Sequence, residues 1–361
     1  MILFIYFYFF LAQASSFLKS SCYFGKALLL SLLFILFFFA AFRFNAVFDY
    51  HAYLYVVDLA ILNIDGFKSF FSFYSDVFKI EPVSLFFVWV SGLTPIHESV
   101  FILFSFFSVF FIYLATKKLS PLPVLSLFVF FSHEYFYLFN GQIRAGLALV
   151  IAYYALAKFL ERDYLVSLFW LLTASFTHFS LFVFFPVFIY LFLFRKYLGL
   201  QFPVFLVFVA SAIGLGGFFG DLLIYFFDLI GEPGFIRRYI ADGSPREYVD
   251  LTLLKASFFL AVSLYYLRFS HLRYSFIFRS LVVMLAFGIS VRLLLVDFAE
   301  LGGRLSSLFL FSLIFIIPFI ACVSRYRTIW ILCFMMLASA QFIVNYFKIG
   351  LYNFNHFWIF Q

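Results

Sequence analysis

The sequence predicts an all-α integral membrane protein. Its expected form is a polytopic bundle of about twelve transmembrane helices with short re-entrant or interfacial outer helices. Hydrophobic residues make up 66% of the 361 residues and charged residues only 11%, whereas soluble domains use about 45–50% apolar and about 25% charged residues. The apolar residues also fall in long runs bounded by charges, which is the pattern of spanning helices.

Most of these runs approach the roughly 20 residues that a spanning helix needs. They cover 1–14, 27–42, 98–116, 121–139, 141–158, 164–177, 179–194, 201–219, 250–269, 277–296, 304–323 and 328–347. The first run lacks the basic leader and small-residue cleavage site of a signal peptide, so we expect it to be a retained helix. The chain is thus expected to form a single membrane domain over 1–361, with outer excursions at about 43–97 and 220–249.

The stretch 164–194 could form one helix of about 45 Å or two shorter helices. Two helices that break near His178 place thirteen basic residues on one side of the membrane, which the positive-inside rule labels cytoplasmic. The same alternation leaves only Glu161 and Asp163 among the acids on that side. A single helix would mix the charges, so we predict two helices and place both chain termini outside.

The first outer excursion contains an apolar stretch, Ser84–Leu93, that follows Glu81-Pro82. This stretch is too short to span the bilayer. We therefore predict an interfacial or re-entrant helix there.

Several basic residues are predicted to lie at membrane depth, where ionisable groups usually face a cavity or a partner. Arg144 and His178 each lie about fourteen residues from the inner turn between their helices, hence about 21 Å up neighbouring helices. Arg292 has a similar depth. Arg43 ends the second predicted helix and Arg304 opens the eleventh. Recessed arginines on one face predict a phosphate site, because guanidinium binds phosphate bidentately.

Each of these residues also has a structural alternative. Arg43 and Arg304 could reach the lipid headgroups. Arg292 could pair with Asp297, and His178 could cap its helix. The convergence of the residues on the outer side is what favours a phosphate site.

The outer acids Asp49, Asp58, Glu81 and Glu134 could supply a general base or hold sugar hydroxyls. No Asp-x-Asp or Asp-Asp/Glu pair follows the first apolar segments, so a metal-bridged diphosphate is not indicated. The cysteines and histidines also lack metal-ligand spacing. We expect neither a metal nor a cofactor.

Five motifs occur in order along most of the chain. They are Arg43 followed by Asp49-Tyr50-His51-Ala52-Tyr53, then Glu81-Pro82, Arg144-Ala145-Gly146-Leu147-Ala148, His178-Phe179-Ser180 and Gly303-Arg304. This set resembles the EpsG/Wzy group of polysaccharide polymerases, which polymerise undecaprenyl-pyrophosphate-linked oligosaccharides at the outer face of the bacterial membrane. The family is usually written with Gln after the fifth-helix Arg. Here that position is Ala145, and Gln142 precedes the Arg instead.

The resemblance implies a metal-independent glycosyltransferase in the bacterial inner membrane, with its active face periplasmic or extracellular. Donor and acceptor would both be undecaprenyl-pyrophosphate-linked oligosaccharides held in the lipid bilayer. A chain-length regulator and a flippase could be further partners, and no nucleic-acid partner is expected. The candidate catalytic residues are Arg144, with His178 or Asp49 as general base. The candidate lipid pyrophosphate ligands are Arg43, Arg144, Arg292 and Arg304, and the candidate sugar-binding residues are Tyr53, Glu81, Gln142 and Ser180.

The sequence is also compatible with other functions. An O-antigen ligase or a polyprenyl-phosphate-dependent glycosyltransferase would need much the same phosphate site. A flippase or exporter of lipid-linked oligosaccharides would instead need arginines along a path open to both faces. The recessed charges cluster towards one face, which favours a transferase.

Overall fold

The computed structural model describes residues 22–42, 50–62, 81–94, 96–195, 201–215 and 250–348, together with residues 6, 10, 222 and 225. These residues form helices and turns, with no strand among them. The fourteen α-helices in this part of the chain are α1 (Cys22–Ala41), α2 (Tyr50–Leu62), α3 (Pro82–Gly92), α4 (Ser99–Leu119), α5 (Pro123–His133), α6 (Ile143–Leu160), α7 (Tyr164–Thr177), α8 (Phe184–Leu193), α9 (Gln201–Leu215), α10 (Leu251–Phe269), α11 (Phe276–Leu294), α12 (Ala299–Leu310), α13 (Leu313–Val323) and α14 (Arg327–Lys348).

The predicted fold class, a polytopic membrane bundle, is confirmed. Within the described residues, six helical stretches are long and apolar enough to cross a membrane: Ser99–Leu119, Ile143–Leu160, Leu251–Phe269, Phe276–Leu294, Glu300–Val323 and Arg327–Asn345. Shorter apolar helices accompany them, including α3, α5 and α7. The chain is therefore a membrane protein that combines helices of span length with shorter apolar helices.

Two predicted breaks are present in the structure. Pro82 starts α3 as expected, because the fixed φ of proline suits the first turn of a helix and its missing N–H is not needed there. The stretch 164–194 is divided at His178, whose backbone is extended (φ −155°, ψ 117°). A short 3-10 helix, Phe179–Val183, follows His178 and leads into α8.

Two other predicted spans are not continuous helices. The run 121–139 was expected to be one helix, but α5 ends at His133 and a π-helical turn covers Phe136–Gly141. In that turn the Gln142 N–H donates to the Tyr137 carbonyl at 2.8 Å, five residues back instead of four. The run 304–323 is likewise divided into α12 and α13 by a tight turn at Phe311 and Ser312.

The chain forms two compact units. The first comprises 1–184 and 324–361, and the second comprises 185–323. In the first unit α6 packs against α4 and α7, while α2 packs against α3, and α14 against α5. Residues inside the protein make up 78% of α6, so this helix forms the centre of the first unit.

The second unit is built around α11, which packs against α9, α10, α12 and α13. Only 33% of the α10 span is buried, against 61% for α11. Because the exposed side chains of α10 are largely apolar, this helix is expected to face lipid over much of its surface.

The turn between α6 and α7 holds those two helices side by side. Arg162 takes the left-handed conformation there, with φ of 70°. Glu161 forms ion pairs with Lys118 at the end of α4 and with Lys158 at the end of α6. The turn therefore joins three helices of the first unit at one point.

Candidate active site

The candidate active site is centred on Glu81, which immediately precedes α3. Its residue surface is 5% exposed, so the carboxylate is buried. One turn later, the Ser84 hydroxyl donates to the Thr177 carbonyl at the end of α7, at 2.7 Å. This buried bond joins the start of α3 to the end of α7, and so brings Glu81 next to His178.

Both oxygens of the Glu81 carboxylate are occupied. Oε2 accepts a hydrogen bond from Arg144 Nη1 at 2.8 Å. Oε1 lies 2.7 Å from His178 Nδ1 and also accepts from the Phe179 N–H at 3.4 Å. These contacts compensate a buried negative charge that would otherwise be costly.

The Arg144 guanidinium is held by two neighbours. Its Nε donates to the Tyr53 hydroxyl at 2.7 Å, while Nη1 donates to Glu81. Among the residues that the structure describes, Nη2 has no hydrogen-bond partner. Since the Arg144 side chain is 28% exposed, one edge of the guanidinium is available to an anionic ligand.

His178 is held through one ring nitrogen only. A carboxylate can only accept, so Nδ1 carries the proton of the contact with Glu81. In the neutral imidazole the lone pair is then on Nε2. Nε2 makes no hydrogen bond with any described residue, and the His178 side chain is 30% exposed. This is the arrangement of a base oriented by a carboxylate.

The charges of the cluster perturb the titration of Glu81, which lies outside the candidate membrane spans. Burial by itself raises the pKa of the Glu81 carboxyl. The hydrogen bond from His178 and the positive charge of Arg144 oppose burial and leave this pKa below its ordinary value. Glu81 is therefore ionised at neutral pH. We call Tyr53, Glu81, Arg144 and His178 the Glu81 cluster.

A glycine sets the approach of α6 to the preceding π-helical turn. A Cβ atom at Gly146 would lie 2.6 Å from the Leu138 carbonyl oxygen, closer than van der Waals contact permits. Only a residue without a side chain fits there. Gly146 is two residues from Arg144, so this close contact fixes the start of α6 and the position of the arginine.

Comparison with known proteins assigns the family. Residues 26–358 match the family model described as the EpsG family. This chain belongs to the EpsG family. The matched range contains all four residues of the Glu81 cluster.

One relative of this EpsG-family chain is the amylovoran biosynthesis protein AmsC of Erwinia amylovora. It is 26% identical over 283 residues, which are 75% of this chain and 72% of AmsC. No solved structure matches the EpsG-family chain.

The remaining candidate residues of the first unit lie in different surroundings. Gln142 donates from Nε2 to the Tyr137 hydroxyl at 2.8 Å. The Ser180 hydroxyl oxygen is buried and has no hydrogen-bond partner within the described part of the chain. Arg43 and Asp49 lie outside the described residues, so their roles stay predictions.

Arg292, in the second unit of the EpsG-family chain, has a different partner from the one considered in the sequence. It pairs with Asp250 and not with Asp297: Nε donates to both carboxylate oxygens, at 3.2 and 3.1 Å, and Nη2 contacts Oδ2 as well. Its Nη1 donates to the Ser306 hydroxyl at 3.2 Å. All three nitrogens are therefore engaged. Asp250 also caps α10 by accepting from the Leu253 N–H at 2.7 Å.

Arg304 is also in the second unit, where it forms an ion pair with Glu300 one helical turn earlier. About half of each side chain is exposed. An exposed pair of this kind contributes about 0–1 kcal/mol. Its guanidinium is therefore held weakly and remains accessible to a ligand.

The sequence assigned Glu81 to sugar binding or to proton transfer and did not predict its contacts with Arg144 and His178. The structure shows that its carboxylate contacts both Arg144 and His178. One signal pointed to this role. An acid at the start of a short apolar helix is costly at membrane depth unless a basic group pairs with it, and two such groups were predicted at one height.

Proposed function

We propose that this protein is a membrane glycosyltransferase that polymerises undecaprenyl-pyrophosphate-linked oligosaccharide repeat units at the outer face of the bacterial inner membrane. Membership of the EpsG family and the relative named for amylovoran biosynthesis support a polymerase role in exopolysaccharide synthesis. The observation that carries the reaction type is the Glu81 cluster, in which one carboxylate holds both an arginine and a histidine.

Transfer from a lipid pyrophosphate has two chemical requirements. The acceptor hydroxyl must lose a proton, and the departing pyrophosphate must be stabilised as it gains negative charge. His178 meets the first requirement, because its Nε2 carries a lone pair and makes no hydrogen bond with any described residue. Arg144 meets the second, because a preorganised cation at a developing charge is often the largest catalytic contribution.

In the proposed step the acceptor hydroxyl oxygen forms a bond to the anomeric carbon of the donor glycan. The bond between that carbon and the pyrophosphate oxygen breaks, and its electron pair leaves with undecaprenyl pyrophosphate. The hydroxyl proton passes to His178 Nε2 and is later released to water. No electron acceptor or donor is needed, and the products are a lengthened lipid-linked glycan and undecaprenyl pyrophosphate.

Glu81 acts on both partners in this scheme. Its negative charge stabilises the imidazolium that His178 becomes, and it fixes the tautomer that has the lone pair on Nε2. Its other oxygen holds Arg144 in place. Because both oxygens are occupied, we assign Glu81 to orientation and not to proton transfer. Asp49 is the alternative base, and Arg43 is proposed as an additional pyrophosphate ligand.

The test is complementation of a strain from which the gene has been deleted, with the surface glycan separated by gel electrophoresis. We expect the deletion to abolish polymer and to retain single repeat units. Loss of every glycan form would favour export or ligation and contradict the proposal.

Two variants test the assigned roles in the same strain. His178→Ala removes the base, whose contribution is typically about 10²–10⁴-fold in rate, so polymer should be nearly absent. Arg144→Lys keeps the charge but loses the planar fork of donors, and should weaken donor use. His271→Ala and Arg268→Lys are matched controls at exposed positions. Polymer of wild-type length in His178→Ala would exclude that residue as the base.

A further inference from the structure

We infer that Tyr53 is a positioning residue for glycan transfer: its hydroxyl holds the Arg144 guanidinium in the orientation that presents Nη2 to the donor pyrophosphate. This inference rests on the proposed function, since it assumes that Arg144 binds the pyrophosphate. The sequence pattern assigned Tyr53 to sugar binding. In the structure its hydroxyl accepts a hydrogen bond of 2.7 Å from Arg144 Nε.

The Tyr53 ring is held firmly by aromatic packing. The residue is buried, and its ring lies 6.2 Å from the Phe101 ring in an edge-to-face contact. It lies 6.1 Å from the Phe104 ring as well. Both phenylalanines belong to α4, so the hydroxyl position is set by contact between two helices. A hydroxyl fixed in this way can orient its partner.

The helix that carries Tyr53 is attached to its neighbours at further points. A Cβ atom at Gly92 of α3 would lie 2.7 Å from the Ala60 Cβ of α2, so these two helices are in close contact. Asp58 of α2 also contacts His97, which precedes α4. Since the attachments lie beyond Tyr53 along α2, they limit movement of the helix relative to α3 and α4.

The two contacts of Arg144 together fix the plane of its guanidinium. Nε is held by Tyr53 on α2, and Nη1 by Glu81 at the start of α3. A single contact would allow the plane to rotate about that hydrogen bond. Two contacts from different elements leave one orientation, in which Nη2 is the remaining nitrogen. Phosphate recognition depends on this geometry, because the guanidinium donors form a rigid fork.

A hydroxyl suits this position better than a carboxylate would. Glu81 already places one negative charge against Arg144. A second carboxylate at Tyr53 would make the surroundings of the guanidinium net negative and oppose binding of pyrophosphate. The neutral hydroxyl fixes the orientation and leaves the positive charge available.

The experiment is a double-mutant cycle on the full-length protein, purified and reconstituted in lipid nanodiscs. Wild type, Tyr53→Phe, Arg144→Lys and the double variant are compared by kcat and KM for the undecaprenyl-pyrophosphate-linked repeat unit. Tyr53→Phe keeps the packed ring and removes only the hydroxyl. We expect kcat/KM to fall by about 10-fold, the lower end for loss of a hydrogen bond to a charged group. Tyr55→Phe, at an exposed position of the same helix, is the control.

Coupling distinguishes positioning from general support of the fold. If Tyr53 acts through Arg144, the double variant should be no slower than Arg144→Lys, because the two changes remove the same interaction. Effects that multiply, or a Tyr53→Phe rate equal to that of Tyr55→Phe, would overturn the inference. Rates are normalised to the folded protein recovered in the nanodiscs, so that reduced insertion does not alter the comparison.

The same data separate this inference from the proposed function. A slow Arg144→Lys together with a normal Tyr53→Phe would reject the positioning role alone. A normal rate in Arg144→Lys would reject the assignment of Arg144 to the pyrophosphate, and the inference with it.

Discussion

Replacing Glu81 with glutamine tests the centre of the candidate site with almost no change in shape. The carboxylate accepts from Arg144 and from His178. An amide offers one acceptor oxygen and one donor NH2 group. If the amide oxygen faces Arg144, the NH2 group faces His178 Nδ1, which must then present its lone pair. The imidazole proton moves to Nε2, and His178 can no longer accept the proton of the acceptor hydroxyl.

The opposite orientation of the amide is also unfavourable. Its NH2 group would then face the Arg144 guanidinium, placing donor against donor beside a charge that is only partly exposed. In both orientations the general base is lost or Arg144 is displaced. Since general-base assistance typically contributes about 10²–10⁴-fold, we expect Glu81→Gln to raise the barrier by about 3–5 kcal/mol, at about 1.4 kcal/mol per tenfold change.

The assay is polymer formation by the purified protein in nanodiscs, with kcat followed as a function of pH. Glu98→Gln is the matched control, because Glu98 precedes α4 in the same region and its side chain makes no capping hydrogen bond. The control should retain its rate. A Glu81→Gln rate within twofold of wild type would refute the assignment of Glu81 as the carboxylate that orients His178.

Three further predictions concern stability. Gly146→Ala places a Cβ atom 2.6 Å from a backbone carbonyl oxygen, so thermal unfolding should show that the free energy of unfolding falls by about 1–3 kcal/mol. Gly25→Ala is the control, because a Cβ atom there has nothing within 4 Å and should cause no loss. Asp250→Asn keeps the helix cap but removes the negative charge from the partly buried pair with Arg292. Denaturant titration should show a loss of about 1.5–3 kcal/mol, the range for a hydrogen bond to a charged group, and an unchanged midpoint would contradict the pairing. Because the pKa of Glu81 is lowered in the folded protein, its stabilising contribution is complete above the ordinary carboxyl pKa of 4.5 and is lost as pH falls through the lower folded value. The difference in melting temperature between wild type and Glu81→Gln should therefore stay constant down to about pH 5 and decrease only below pH 4.5. A decrease at higher pH would contradict this prediction.

The helices were largely predictable because their signals are local. Apolar runs and bounding charges identified the long spans, and Pro82 marked the start of α3. The predicted break near His178 is present because its extended backbone ends α7. The run 121–139 was mispredicted as one helix, since hydropathy does not reveal a π-helical turn. Gly146 allows α6 to contact Leu138 of that turn closely. This contact joins two segments, so the hydropathy of one apolar run does not predict it.

The candidate site was predictable only in part. Counting residues from the inner turn predicted that Arg144 and His178 lie near each other, and both contact the Glu81 carboxylate in the structure. Counting residues could not show which carboxylate contacts these two residues. Those contacts depend on the bond between Ser84 and Thr177, which are 93 residues apart in the chain. Roles for Arg43 and Asp49 remain predictions.

The sequence alone determined that the chain is a helical membrane protein with recessed basic residues and EpsG-type motifs. Those properties follow from composition and from spacing along a helix, which are local. Only the tertiary structure decided which charges pair: Glu81 with Arg144 and His178, and Arg292 with Asp250 instead of the nearby Asp297. A charge buried in a membrane protein is stabilised by the nearest opposite group in space, and helix packing can bring that group from a distant part of the chain.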